Sequence, residues 1–331
     1  MTASKILVIS DSLHTLPRAV AALDASGHHV TWLNDNIPFA RVAAEGLADL
    51  AAPDAIVMGR VMGTDAAALD MCPNVRVIAH HTSGTDNIDL DAAIARGIAV
   101  TNVKGVNAEQ CAEFSFGLML AITRQIRRGD MAIRAGRWAA DTQESLDVFG
   151  ATFGMIGLGQ IGRAAARRAA AFGMRILCHT RTPDPEFAAE LGITYLPLDD
   201  VLGQADVVSI FASLNPSTRG MIGAREIALM RPHAYLVNIA RGELIDEAAL
   251  AAALADRRIA GAALDVFQVE PLRHSPLFLL DNVILTPHQA GLTRHAKSAA
   301  AELAVQNALA VLEGRVPPNL VTTLKEPGAR P

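Results

Sequence analysis

Residues 153–173 read FGMIGLGQIGRAAARRAAAFG. An apolar run enters a glycine-punctuated turn, and an Ala-rich stretch of helix formers leaves it. Gly157, Gly159 and Gly162 stand in a G-x-G-x-x-G frame. A glycine triplet alone says little, but between a strand and a helix it is the fingerprint of a dinucleotide-binding βαβ unit. The first glycine permits the tight turn, the second lets a pyrophosphate approach the backbone, and the third lets helix and strand pack closely. Amides near Gln160 and Ile161 would then face the phosphates at a helix N-terminus, where the helix dipole favours anions.

The same alternation extends in both directions. Upstream, KILVI, HHVTWL, DAIVMG, VRVIAHH and IAVTNV are separated by helical stretches such as LPRAVAALDASG. Downstream follow MRILCHT, ITYLP, DVVSIFA, AYLVNIA, GAALDVF and NVILTPH. Apolar strands alternating with helices predict parallel sheets with crossover helices. Two such units in series, both doubly wound and Rossmann-like, suit 331 residues. Between them runs NAEQCAEFSFGLMLAITRQIRRGDMAIRAGRW, whose apolar positions Phe114, Leu118, Ala121 and Ile122 recur at helical spacing. After Gly291 a helical tail returns to the first unit. The expected division is a discontinuous substrate domain, 1–101 with 291–331, and a dinucleotide domain, 102–290.

Composition bounds the partners. Hydrophobic residues make up 51% and charged residues 19%, with a net charge of -5; a large core is implied. No basic run marks a nucleic-acid footprint. The apolar segments fall short of a membrane span. Cys72, Cys111 and Cys178 are scattered and odd in number, which fits buried thiols in a reducing cytoplasm better than a disulfide framework. His80 and His81 lack a third ligand at recognisable spacing, so no metal is expected.

The strand after the glycine turn bears on which dinucleotide binds. An NAD site usually ends it with Asp or Glu, accepting from the ribose 2'-hydroxyl. Here Thr180, Arg181 and Thr182 follow instead. Arginine pairs with a 2'-phosphate that a carboxylate would repel, which favours NADP(H). Two alternatives stay open: Arg181 as a solvated loop residue, and Asp184 serving NAD if the loop folds back.

Three further residues stand at strand ends: Arg241 after LVNIA, Glu270 after ALDVFQV, and His288 after NVILTP. In an open parallel sheet the carboxyl ends of the strands face the ligand crevice. Reduction of a 2-keto acid needs a hydride at the carbonyl carbon and a proton at its oxygen. A histidine can give the proton, a carboxylate beside it can fix and charge the imidazole, and an arginine can hold the substrate carboxylate. Singly each has a plain reading: a turn pair with Glu243 or Asp246 for Arg241, a solvated loop for Glu270, a satisfied core histidine for His288. At three strand ends of one dinucleotide-binding unit they read together as catalytic.

NIARGELIDEAAL, GAALDVFQVEP and NVILTPHQAG, with GLGQIG and SGTDNIDLDAA, resemble the signature blocks of the D-isomer-specific 2-hydroxyacid dehydrogenases. The blocks stand in family order over most of the chain. The resemblance implies a flavodoxin-like substrate domain beside the dinucleotide-binding one. It implies that Arg241 binds the substrate carboxylate and carbonyl, and that Glu270 pairs with His288 as proton donor or acceptor. It also implies that Ile239, Ala240, Asp265, Thr218 and Gly291 lie near the cofactor. Thr82, Ser83 and Gly84, with Arg60 close by, correspond to a carboxylate-binding loop. Dimerisation through Phe114 to Arg137 is a further expectation. The sequence departs from many relatives at Lys104-Gly105, where they have Pro-Gly, and at Ser213 to Asn215. The implied activity is an NADP(H)-linked glyoxylate/hydroxypyruvate reductase-like enzyme. The alternatives are an NAD-linked 2-hydroxyacid or phosphoglycerate dehydrogenase and a non-catalytic dinucleotide sensor.

Overall fold

The computed structural model describes residues 3–61, 63–138 and 144–322. The chain forms two compact units, Met1–Asn107 with Thr293–Pro331, and Ala108–Leu292.

The first unit holds β1 (Lys5–Ile9), β2 (His29–Leu33), β3 (Ala55–Met58), β4 (Val77–His80) and β5 (Ala99–Thr101). They form one parallel sheet in the order β2-β1-β3-β4-β5, the flavodoxin-like order. Successive side chains go to opposite faces, and both faces are apolar. Leu7, Ile9, Ile56, Met58 and Ile78 build one core layer, and Ile6, Val8, Val57, Val77 and Ala79 the other. The helix Arg294–Leu312 covers the second layer with Ala301, Ala304, Val305 and Ala308.

The second unit holds β6 (Thr152–Ile156), β7 (Arg175–His179), β8 (Thr194–Tyr195), β9 (Val207–Ile210), β10 (Tyr235–Asn238), β11 (Gly261–Leu264) and β12 (Val283–Leu285). Their order is β12-β11-β10-β9-β6-β7-β8, parallel throughout. The chain starts in the middle at β6, winds out to β8, then crosses back and winds to β12. That reversal places the topological switch point between β6 and β9, beside the glycine turn.

The helical stretch after Asn107 differs from the sequence expectation. It is two helices, Ala108–Thr123 and Ile126–Arg134, broken where Gln125 takes a left-handed φ of 51°. Leu118 and Ile122 are buried against the sheet, with Phe114 and Ala121 packed at the margin. Beyond Thr123 burial ends: no residue of the second helix is buried. The Thr123 hydroxyl bonds back to the Met119 carbonyl, its own carbonyl accepts from the Leu146 amide, and Arg127 reaches the Val283 carbonyl on β12. These long-range partners turn the chain where local pattern alone would continue the helix.

At the N-terminal ends of the central strands, Asp206 ties the starts of β6, β9 and β10 together. Its carboxylate accepts from the Thr152 amide at 2.8 Å and from Arg231 and His233, each at 2.9 Å. Burial pushes its pKa up, but these bonds outweigh burial and hold it below the usual carboxylate value. The resulting stabilisation is complete above about pH 4 and is lost as pH falls through the lower folded value. We predict that Asp206→Asn costs about 1–2 kcal/mol at pH 7, since two of its partners are partly solvated. Thermal melts across pH check it: the gap from wild type should close in acid, and equal melting at pH 7 would refute the assignment.

Candidate active site

The glycine turn is set by close approach. Gly157 has φ +101°, and a Cβ there would lie 2.7 Å from the Ala212 amide nitrogen at the exit of β9. A Cβ on Gly162 would lie 2.5 Å from the Gly157 carbonyl oxygen. Gly159, by contrast, has open space on its Cβ side and caps the helix Gln160–Ala171. Room beside a helix N-terminus is what a pyrophosphate requires, so the fold fits a dinucleotide here.

At the end of β7, Thr180 accepts from the Thr182 amide at 3.4 Å, and Arg181 is exposed. No carboxylate pairs with Arg181 among the described residues. Asp184 is committed elsewhere. It caps the helix Pro185–Leu191 through the Phe187 amide and pairs with Arg163 at 2.8 Å. Those two donors hold its carboxyl below the usual range.

β10, β11 and β12 are adjacent, with Asn238 level with Leu264 and Leu264 with Leu285. Arg241, Glu270 and His288 therefore leave one sheet edge side by side. His288 Nδ1 lies 2.7 Å from Glu270 Oε2. Glu270 Oε1 also accepts from the Phe267 amide at 3.1 Å, which fixes the carboxylate. Nδ1 donates to Glu270, so Nε2 is the nitrogen that can exchange a proton with a ligand.

His288 itself sits at φ +52°, a backbone state few non-glycine residues adopt. Asp265, fully buried, enforces it. Its carboxylate accepts from the Thr286 hydroxyl at 2.6 Å and from the Gln289 and Ala290 amides at 2.9 and 2.8 Å. Its carbonyl takes the His288 amide at 2.8 Å. The segment ends at half-buried Gly291, beside a turn closed by Leu292 on Gln289.

The Arg241 backbone is held by Asn238, wholly buried at the end of β10. Asn238 donates to the Arg241 carbonyl at 2.9 Å and accepts from the Ala240 amide at 3.0 Å. Arg241 Nη1 donates to the Ala240 carbonyl at 2.8 Å. Ile239 is buried beneath. Thr218 spends its hydroxyl within its own turn, donating to the Ser213 carbonyl at 2.8 Å and accepting from the Asn215 amide at 2.9 Å.

In the first unit, Arg60 follows β3 and Thr82, Ser83 and Gly84 follow β4. Arg60 stands 4.0 Å from Asp86. The carbonyls of Thr82 and Ser83 accept from the Val103 amide at 3.2 Å and from Asn102 Nδ2 at 2.8 Å. His80 Nδ1 lies 2.8 Å from the Gly84 carbonyl. The amides of Ser83, Gly84 and Thr85 have no intrachain acceptor among the described residues. A run of such N–H groups is an anion nest. Among the described residues no His, Cys, Asp or Glu cluster could hold a metal, and no helix is long and apolar enough to cross a membrane. All three cysteines are free and buried.

The family described as "D-isomer specific 2-hydroxyacid dehydrogenase, NAD binding domain" matches residues 116–290. The chain belongs to this family. It is thus an NAD(P)-dependent oxidoreductase of the 2-hydroxyacid dehydrogenases. Among its relatives, a glyoxylate reductase of Korarchaeum cryptofilum is 39% identical over 295 residues, 88% of each chain. Among solved structures, a glyoxylate reductase from Paecilomyes thermophila is 33% identical with a TM-score of 0.85, over 97% of this chain and 98% of that one. An NADPH-dependent glyoxylate/hydroxypyruvate reductase from Sinorhizobium meliloti, solved with NADP and malonate, is 32% identical with a TM-score of 0.85, over 100% and 99%.

Sequence reasoning missed Asn238 and Gly242. The signal for Asn238 was a lone amide in an apolar strand, which must find partners when buried. Gly242 carried no local signal. A Cβ there would fall 1.9 Å from the Phe267 carbonyl carbon, against the segment that supplies Glu270. Gly242→Ala must therefore displace that segment. A shift near 1 Å at a reacting group costs on the order of a hundredfold in rate. The predicted outcome is a kcat lowered by about that factor with dinucleotide affinity kept. Unchanged turnover in stopped-flow assays would show that the segment yields without moving Glu270.

Proposed function

We propose that this chain is an NADP(H)-linked reductase of small 2-keto acids, glyoxylate and hydroxypyruvate among them. The observation that carries the reading is the 2.7 Å His288–Glu270 pair at the sheet edge where Arg241 also emerges. A bound nicotinamide supplies the hydride to the keto carbon; the protein supplies orientation and charge. Arg241 holds the substrate carboxylate and polarises the keto oxygen. His288 delivers the Nε2 proton to that oxygen in reduction and recovers one in oxidation. Glu270 orients the ring by accepting from Nδ1. The Thr82, Ser83 and Gly84 loop and Arg60 are proposed as further substrate groups. Asp265, Asn238 and Thr218 act through the backbone they hold, keeping His288, the Ile239–Arg241 turn and the cofactor-facing loop in place.

For the dinucleotide, Gly157, Gly159, Gln160, Ile161 and Gly162 cradle the pyrophosphate. Arg181, with Thr180 and Thr182, takes the 2'-phosphate. NAD is the second reading, but it needs a carboxylate for the ribose, and Asp184 has its carboxyl bound to Arg163 and the Phe187 amide. The Sinorhizobium relative's NADP complex supports the same choice.

The unit division suggests a substrate domain in the first unit and a dinucleotide domain in the second. A cytoplasmic homodimer completes the proposal. Ile126, Met131, Ile133, Phe278 and Leu279 are exposed, and Trp138 is 81% exposed. Met131, Trp138, Phe278 and Leu279 border a groove of about 510 Å³. A second copy would cover this apolar surface; a monomeric mass by light scattering would overturn that part.

The deciding experiment is a kinetic panel of keto acids with NADPH and NADH. We expect turnover with glyoxylate or hydroxypyruvate and preference for NADPH, a preference that Arg181→Ala removes by weakening NADPH alone. Tight dinucleotide binding without turnover of any acid would instead mark a sensor. His288→Ala should lower kcat by about a hundred- to ten-thousand-fold with NADPH affinity nearly intact. Turnover near wild type in that variant would end the proton-donor role.

A further inference from the structure

His80 closes β4 and is 1% exposed. Nothing in the proposed chemistry uses it. Its neighbours, however, are the loop assigned to the substrate carboxylate. Nδ1 lies 2.8 Å from the Gly84 carbonyl and 2.9 Å from the Thr82 hydroxyl, which itself donates to the same carbonyl at 3.2 Å. A carbonyl only accepts, so Nδ1 carries the ring's proton. Burial, with His81 alongside, pulls the imidazole pKa down to about 4. The ring is therefore neutral near pH 7 and has one N–H to give.

In a trans peptide the C=O and the following N–H point in opposite directions. Fixing a carbonyl inward thus aims the next amide outward. Val103 fixes the Thr82 carbonyl, Asn102 the Ser83 carbonyl and His80 the Gly84 carbonyl. The amides so aimed are those of Ser83, Gly84 and Thr85, the ones with no intrachain acceptor among the described residues. Asn102 is itself anchored: its carbonyl accepts from Asn307 and its amide donates to the Asn319 carbonyl. Of the three holds, the His80 ring is the one made by a buried, titratable side chain.

We propose that His80 is a positioning residue for carboxylate binding, its Nδ1–H turning the Gly84–Thr85 peptide so that the Ser83–Thr85 amides converge on one anion. The proposal rests on the reading of this loop as a carboxylate site. It differs from a packing role in depending on a donor at one ring nitrogen. Asparagine places an N–H near Nδ1, glutamine places one near Nε2, and leucine places none.

The test measures oxalate affinity by calorimetry and, separately, KM and kcat for glyoxylate, on the full chain carrying His80→Leu, His80→Asn or His80→Gln. We expect His80→Leu to raise the oxalate Kd and the glyoxylate KM by about tenfold, the worth of one well-made hydrogen bond. Its kcat and NADPH affinity should stay within about twofold of wild type. His80→Asn should recover most of the loss and His80→Gln little. Wild-type affinity in His80→Leu, equal defects in the Asn and Gln variants, or no oxalate binding by the wild type would each overturn the proposal. If His80→Leu does not fold, the Asn and Gln comparison decides alone. A wild type that binds oxalate but reduces no keto acid refutes the reductase reading and leaves this one standing.

Discussion

One buried carboxylate organises the reactive edge of the second unit. Asp265 has no solvent contact, and a bare charge there would be costly. It is tolerated because a hydroxyl and two amides, all from residues 286–290, converge on it. The same bonds press that segment into the one shape that carries His288 to Glu270. One interaction thus holds two features: removing the acceptors at Asp265 would release both the loop and the left-handed backbone of the histidine. Strain of this kind persists only where surroundings over-determine it.

The rest of the site repeats this arrangement on a smaller scale. Asn238 satisfies itself on the backbone around Arg241, and Gly242 then lets that turn lie against the Phe267–Gln268 backbone. Strands β10, β11 and β12 are in register, so three small local solutions arrive at one place. Behind the groups that would touch a ligand stand buried polar residues, Asn238 and Asp265, that hold the backbone around them.

Much of the fold was legible because buried parallel strands are continuous apolar runs. Every strand expected from the sequence is present, and the glycine frame marks the switch point beside β6. The Glu270–His288 pair was legible from chemistry, since strand ends in such sheets share one edge. Other features depend on distance rather than on neighbours in the chain. The break at Gln125 follows from Leu146 and Val283, far along the sequence. The need for glycine at 242 follows from a backbone some 25 residues away that no local pattern announces. Asp184 looked available to a ribose; Arg163, on the preceding helix, had already claimed it. His80 was weighed as a metal ligand, whereas its ring meets a carbonyl four positions on.

The left-handed backbone at His288 has an evolutionary corollary. Glycine or asparagine would occupy that conformation at less cost. Under the proposed function the imidazole is what keeps a histidine there, and a chain freed of that role would accept the smaller residues. A histidine kept in that conformation carries a backbone cost that the proposed proton transfer would offset.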